Sequence, residues 1–306
     1  MRGLLPVWKE KGMTSHDVIF KLRKLLGMKK IGHTGTLDPE VDGVLLVCLG
    51  EATKLVQLLM EGEKSYLGTI TLGFSTETED ATGAVVDKKS VLDIPSLSQV
   101  DNAMQAMLGQ IQQVPPYYSA VKVNGKRLYE YARKGIEVQR PSRQVTIHRF
   151  VRTSDLIYDD HNQTVTWHFA VDCSKGTYVR TLAVDLGKSL GYPAHMSDLT
   201  RTATGGCTKD QALTLSQIEA AMNEGRLDQS LISIEEALSF LETVHLDEAQ
   251  YHDVKVGKVL AEDYFGPVIE NQTLLHWQNK AVAIYGPHPT KPGLIKPVRM
   301  FVQYEK

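Results

Sequence analysis

Cysteine is scarce. The 306 residues hold three, Cys48, Cys173 and Cys207, which are far apart and lack C-x-x-C spacing. That set excludes a disulfide framework and a zinc ribbon, and it fits a reducing compartment. Long apolar runs are missing too. The most apolar, Val44 to Leu49, is six residues, where a bilayer span needs roughly 20. The N-terminus shows no apolar stretch of the signal-peptide kind, so a cytoplasmic location is expected. There is also little net charge, -2 with a pI near 6.6, which taken alone argues weakly against a nucleic-acid partner. No internal repeat and no low-complexity segment is present.

The distribution of charge reverses that argument. Residues 1–30 carry eight Lys or Arg against Glu10 and Asp17, and residues 121–143 carry seven against Glu130 and Glu137. The rest of the chain is correspondingly acidic. One basic face on an acidic protein is enough for a polyanion. Hydrophobic residues at 42% and charged residues at 23% describe a soluble globular chain long enough for one large and one small domain.

The spacing predicts a helix over residues 14–27, capped by Thr14 or Ser15 and ended by Gly27, with Val18, Ile19, Leu22, Leu25 and Leu26 on one face. Residues 31–43 read as a loop, Val44 to Leu49 as a buried strand, and Tyr66 to Leu72 as another strand. Residues 96–109 form an amphipathic helix. Val165, Trp167, Phe169 and Val171 alternate as a half-buried strand. Thr177 is placed to cap a helix built on Val179, Leu182, Ala183, Leu186 and Leu190. Without regular βαβ spacing, the mixture implies an α+β fold. From 243 on, short β-like runs (Ala281 to Tyr285, Val298 to Tyr304) are separated by turns at Gly286-Pro287 and Pro292-Gly293, the texture of a small, mostly β module.

The most informative segment is Gly32-His33-Thr34-Gly35-Thr36-Leu37-Asp38-Pro39-Glu40-Val41-Asp42-Gly43. Pro39 stiffens Asp38 and biases it away from helix. The glycines permit tight turns or close approach. A carboxylate pinned beside a histidine can serve as nucleophile, general base or metal ligand. A turn capped by Asp38 explains the same residues equally well. A calcium loop starting at Asp38 would need a glutamate at its twelfth position, which is Leu49. A P-loop lacks its Gly-Lys-Ser/Thr. A zinc deaminase signature is absent, as is a convincing glycine-rich methyltransferase turn.

GHTGTLDP at 32–39, followed by GVLLVCLGEATKL at 43–55, resembles the catalytic motif of the TruB family of bacterial tRNA pseudouridine synthases. Further matches follow in the family's order: Lys64-Ser65-Tyr66, Pro116-x-x-Ser119-Ala120-x-Lys122, Gly125-Lys126-x-Leu128 through Arg133, Cys173 through Leu182, and Leu199-Thr200-Arg201-Thr202. The resemblance covers residues 3–240. Two departures stand out. Glu10 replaces a usual proline, and Val41-Asp42-Gly43 replaces a frequent Ala-Thr-Gly.

The resemblance implies a mixed or antiparallel-sheet catalytic domain over 1–240, a basic flap at about 117–143, and a PUA-like RNA-binding domain over 241–306. It implies isomerisation of uridine 55 in the T-arm of tRNA, by base flipping, without a cofactor. Asp38 takes the nucleophile's role, Arg180 that of its partner, and Tyr66 that of the base-stacking tyrosine. His33 enters the RNA loop as the uridine leaves. Tyr178 and Leu199 wall the uracil pocket, while Lys11, Lys54, Lys122 and Arg133 meet the RNA. The long basic insertion and short C-terminal module match the stand-alone bacterial type, acting without an obligatory protein partner, with a monomer as the default. Desolvation alone favours a neutral carboxyl, and an adjacent guanidinium favours the charged one. The start of a helix is also a poor place for a cation unless something uses it.

Overall fold

The computed structural model describes residues 1–301. A ten-stranded mixed sheet dominates it. Strand β1 (Gly3–Lys9) lies at one edge, paired antiparallel to β3 (Asp42–Leu49), with the short β2 (Ile31–His33) also on β3. Strand Ala194–Thr204 follows, running parallel to β3 through Thr200 and Arg201. Next come β4 (Lys64–Leu72), Thr164–Cys173, Arg143–Arg152 and Gly109–Gln113, each antiparallel to its neighbour. The α+β class with a mixed sheet is as expected.

The unbroken apolar run of β3 is explained by what covers it. Alternate residues point to opposite faces. Val44, Leu46 and Cys48 enter one core with Leu274, Ile284 and Phe301 of the C-terminal module, and Leu45, Val47 and Leu49 enter another beneath helix α1 (Ser15–Leu26). A third core lies between the opposite half of the sheet and the helices Leu97–Gln105 and Val179–Ser189, centred on Trp167, Phe169 and Leu182.

Helix α1 starts with a reciprocal capping box: Asp17 N donates to Thr14 Oγ1 (3.1 Å) and Thr14 N to Asp17 Oδ2 (2.8 Å). Gly27 ends it at φ 61°. Because Thr14 caps, the Ser15 hydroxyl is free to accept from Leu37 N at 2.8 Å, fastening the helix to the loop that carries Asp38.

Several expectations need correction. The stretch 31–43 is not all loop: β2 occupies 31–33, and β3 begins at Asp42. Gly43 makes this possible at φ +121°, where an added Cβ would sit 2.2 Å from the Arg201 carbonyl oxygen. The helix expected over 96–109 stops at Gln105. Thr177 does not cap the helix after it. Its hydroxyl bonds Ser174 O, and Tyr178 is the cap residue, its N–H taken by Gln113 Oε1 at 2.7 Å. Gly286 and Pro287 lie in strand Lys280–Pro287 rather than in a turn, since Gly286 pairs with Lys296. The C-terminal module is a five-stranded sheet from Glu242 to Met300, and residues 302–304 of the last predicted run lie outside the described residues.

Gly43→Ala is expected to destabilise the protein by about 3 kcal/mol or more, through both φ strain and overlap with rigid backbone. The urea midpoint measures it. An unchanged midpoint would mean that β3 and its parallel neighbour can separate at little cost.

Candidate active site

Asp38 opens a tight turn, with Val41 N donating to its carbonyl at 3.1 Å and Pro39 in the second position. Three anchors hold this turn. Ser15 fixes Leu37, as above. Gly12 N donates to Pro39 O at 3.0 Å. Lys9, with no exposed surface, donates from Nζ to Met13 O (2.6 Å), Pro39 O (3.0 Å) and Glu10 O (3.1 Å). Burial pulls the Lys9 ammonium below the usual lysine range, with Asp42, Glu40 and Asp38 nearby opposing it. One of the eight N-terminal cations is therefore structural and cannot meet a polyanion.

Arg180 lies across the Asp38 turn. It is 5% exposed, and its Nε stands 3.2 Å from Asp38 Oδ2. Its other nitrogens donate to Thr78 O (2.8 Å) and Tyr118 O (2.9 Å), and Asp80 Oδ2 lies 3.6 Å away. Asp80 is itself held by the hydroxyls of Thr78 and Thr82 and by Thr82 N. A buried guanidinium with all edges engaged has one geometry to offer its partner. The Asp38 side chain is 45% exposed, so its carboxylate faces solvent at the mouth of a cleft instead of lying buried.

That cleft, of about 520 Å³, is lined by Asp38, Tyr66, Tyr178, Arg180, Leu199 and Arg201, among others. Tyr66, 8% exposed on β4, belongs both to the core and to the cleft wall. Burial raises its phenol above the ordinary tyrosine range, opposed by the Arg201 guanidinium. Arg201, 1% exposed, donates from Nε to Val44 O (2.8 Å) and from Nη2 to Gly35 O (3.0 Å), tying the loop to β3. Lys64 lines the floor and donates to Met60 O and Gly62 O.

The TruB family pseudouridylate synthase model (N-terminal domain) matches residues 23–179, and the tRNA pseudouridylate synthase B C-terminal domain model matches residues 180–239. The chain belongs to the TruB family of tRNA pseudouridylate synthases. Members of this family are isomerases. Among similar curated proteins, tRNA pseudouridine synthase B of Bacillus pumilus is 48% identical over 306 residues, covering 99% of this chain and 98% of that one. The Bacillus licheniformis protein of the same name is 49% identical over 304 residues, covering 98% of each. Among solved structures, a Cbf5-Nop10-Gar1 complex matches with a TM-score of 0.74 and 25% identity, over 98% of this chain and 85% of that one.

Within this TruB-family chain, Asp38, Tyr66, Tyr178, Arg180 and Leu199 gather at one cleft. His33 lies on β2 at the start of the Asp38 loop, its Nδ1 accepting from Gly35 N at 3.3 Å. The four predicted surface cations do not line the cleft. Lys11 pairs with Asp198 and Lys54 with Glu51, while Lys122 and Arg133 lie on the flap, where Arg133 packs over the Tyr129 ring. Sequence reading missed Lys9, Lys64, Asp80 and Arg201. Among the described residues no helix is long and apolar enough to cross a membrane.

Burial holds three histidines, His33, His195 and His276, below the usual imidazole range and gives this chain a pH signature, with Arg201 adding to the effect at His33. Their folded values lie below the unfolded one, so the unfolded chain protonates first as pH falls. The stability tied to them is complete above about pH 6.5 and is lost as pH drops below it. Unfolding free energy should decline from pH 7 to pH 5, and a His33→Gln/His195→Asn variant should show a shallower decline. Equal slopes would remove these two groups from the account.

Proposed function

We propose that the protein converts uridine 55 in the T-arm of tRNA to pseudouridine, with the Asp38 carboxylate as nucleophile. The observation that carries this reading is the ion pair of Asp38 with a buried, fully engaged Arg180 at the mouth of a cleft walled by Tyr66. Isomerisation breaks the N1–C1′ bond, turns the base and joins C5 to C1′. It consumes no redox equivalent and no energy, so it calls for no cofactor. It does require an ionised carboxylate beside ribose and uracil, and a pocket that retains the detached base. Arg180 holds the Asp38 carboxylate in place as RNA covers the mouth.

The uridine must leave its stack, at a cost of a few kcal/mol. Stacking on Tyr66 returns about 1–3 kcal/mol. His33 fills the space left in the RNA loop, and Tyr178 and Leu199 enclose the base. Lys11, Lys54, Lys122 and Arg133, with the flap over 117–143, contact the RNA backbone. Residues 1–240 act as the catalytic domain and 241–306 as a PUA-like RNA-binding domain, in a monomer that works in the cytoplasm without a protein partner.

The test is positional. An unmodified tRNA transcript treated with the protein alone should yield one pseudouridine by nucleoside chromatography, and a transcript with cytidine at position 55 should yield none. Product from the cytidine transcript would refute the assigned position. Affinity for tRNA should also fall steeply with salt through counterion release, and a flat response would count against phosphate-led binding.

A further inference from the structure

Five cations border the catalytic cleft: Lys64, Arg143, Lys175, Arg180 and Arg201. Four are committed within the protein. Lys64 serves two carbonyls, Lys175 pairs with Glu61, Arg180 holds Asp38 and two carbonyls, and Arg201 holds Val44 and Gly35. Arg143 is different. Its guanidinium carbon lies 4.4 Å from the centre of the Tyr178 ring. Its Nε is buried without a hydrogen-bond partner, and its side chain has no ion pair among the described residues. Gly176 leaves room beside it, since a Cβ there would come within 3.3 Å of Nη1.

Buried donors are almost always satisfied, so an unpaired one on a residue that lines a cleft calls for an explanation. Two hydroxyls bordering the same cleft are also unpartnered and at least nine-tenths buried: Ser119 Oγ and Thr34 Oγ1, in residues 5% and 1% exposed. Arg143 and Ser119 stand near the two roots of the flap, Arg143 as the first residue of strand Arg143–Arg152. Contact with the Tyr178 ring uses none of the guanidinium's N–H donors. The group carries donors only and bears a full charge that no carboxylate neutralises among the described residues. An anion with oxygen acceptors matches it better than the neutral edge of uracil, and in RNA that anion is the phosphodiester.

We infer that Arg143 binds a backbone phosphate adjoining the uridine that enters the cleft, with the Ser119 hydroxyl as a second donor. The inference rests on the reading of this cleft as a uridine site in RNA. It gives Tyr178 a second task, since the ring that walls the base also aims the guanidinium. Base and backbone are thereby gripped from one rigid unit.

The experiment uses the full protein and a T-arm RNA hairpin in which one linkage at a time is a neutral methylphosphonate. Arg143→Gln should weaken binding roughly tenfold or more and reduce the salt slope of log Kd by about one. Its kcat at saturating RNA should stay within about threefold. Arg143→Lys should recover part of the affinity. In the wild type, one linkage beside the target uridine should show the same loss when neutral, and Arg143→Gln should lose nothing further on that hairpin. An unchanged Kd and slope for Arg143→Gln, a loss confined to kcat, or losses that add at every linkage would overturn the inference while an active wild type leaves the uridine reading standing. A wild type that leaves the hairpin uridine unconverted would overturn both.

Discussion

Asp38→Asn is expected to lower the single-turnover rate of pseudouridine formation by at least ~10⁴-fold, more than about 5 kcal/mol of transition-state stabilisation. The substitution keeps the shape of the side chain and removes its charge and nucleophilicity. Arg180 retains Asp80 and the carbonyls of Thr78 and Tyr118, so the cleft should keep its form. RNA affinity should stay within a few fold and the urea midpoint should barely move. This combination separates loss of chemistry from loss of structure. A variant keeping more than about one-hundredth of the wild-type rate would rule out Asp38 as nucleophile.

Arg180→Met should act on two quantities at once. Arg180 is 5% exposed, and its guanidinium ties together the Asp38 turn, the Asp80 loop and the root of the flap at Tyr118. Its removal leaves two carbonyls without their donor and a carboxylate at Asp80 that is 17% exposed. Breaking a buried pair by deleting one partner costs about 3–5 kcal/mol, and a loss of that order should appear in urea unfolding. The single-turnover rate should fall by ~10²-fold or more, because Asp38 loses both orientation and its counter-charge. Arg180→Lys restores the charge without the planar fork, and should regain more stability than activity. Full activity in either variant would show that Asp38 needs no fixed partner.

Much of this site was legible in the sequence for a physical reason. Asp38, Arg180 and Tyr66 sit in ordered motifs, and the loop around Asp38 is dense in residues with restricted backbone. The helix and strand around Arg180 carry strong periodicity. Lys9 was missed although its signal was present: Leu5, Val7 and Lys9 share parity on one strand, and all three are fully buried. A cation continuing an inward apolar face is a buried cation. Arg201 shares a quoted motif with Leu199 and was passed over for it. Asp80 had no such marker, since Thr76 to Gly83 reads as an ordinary polar turn. Its role depends on a contact with Arg180 across about a hundred residues of chain. The strand at Gly43 was hidden because glycine usually ends strands, whereas here it admits the Arg201 backbone. The ion pairs of Lys11 with Asp198 and of Lys54 with Glu51 were not legible, since each depends on the fold bringing the partners together.

On the proposed reading, an Asp38 carboxylate held by Arg180 isomerises a T-loop uridine. The most direct test of that reading is tritium release from an unmodified tRNA transcript labelled at uridine C5, incubated with purified protein and no metal or cofactor. Joining C1′ to C5 displaces the C5 hydrogen, so the account predicts one equivalent of tritium released per tRNA with the wild type and none with Asp38→Asn. Tight tRNA binding without release from the wild type, or equal release from Asp38→Asn, would contradict it.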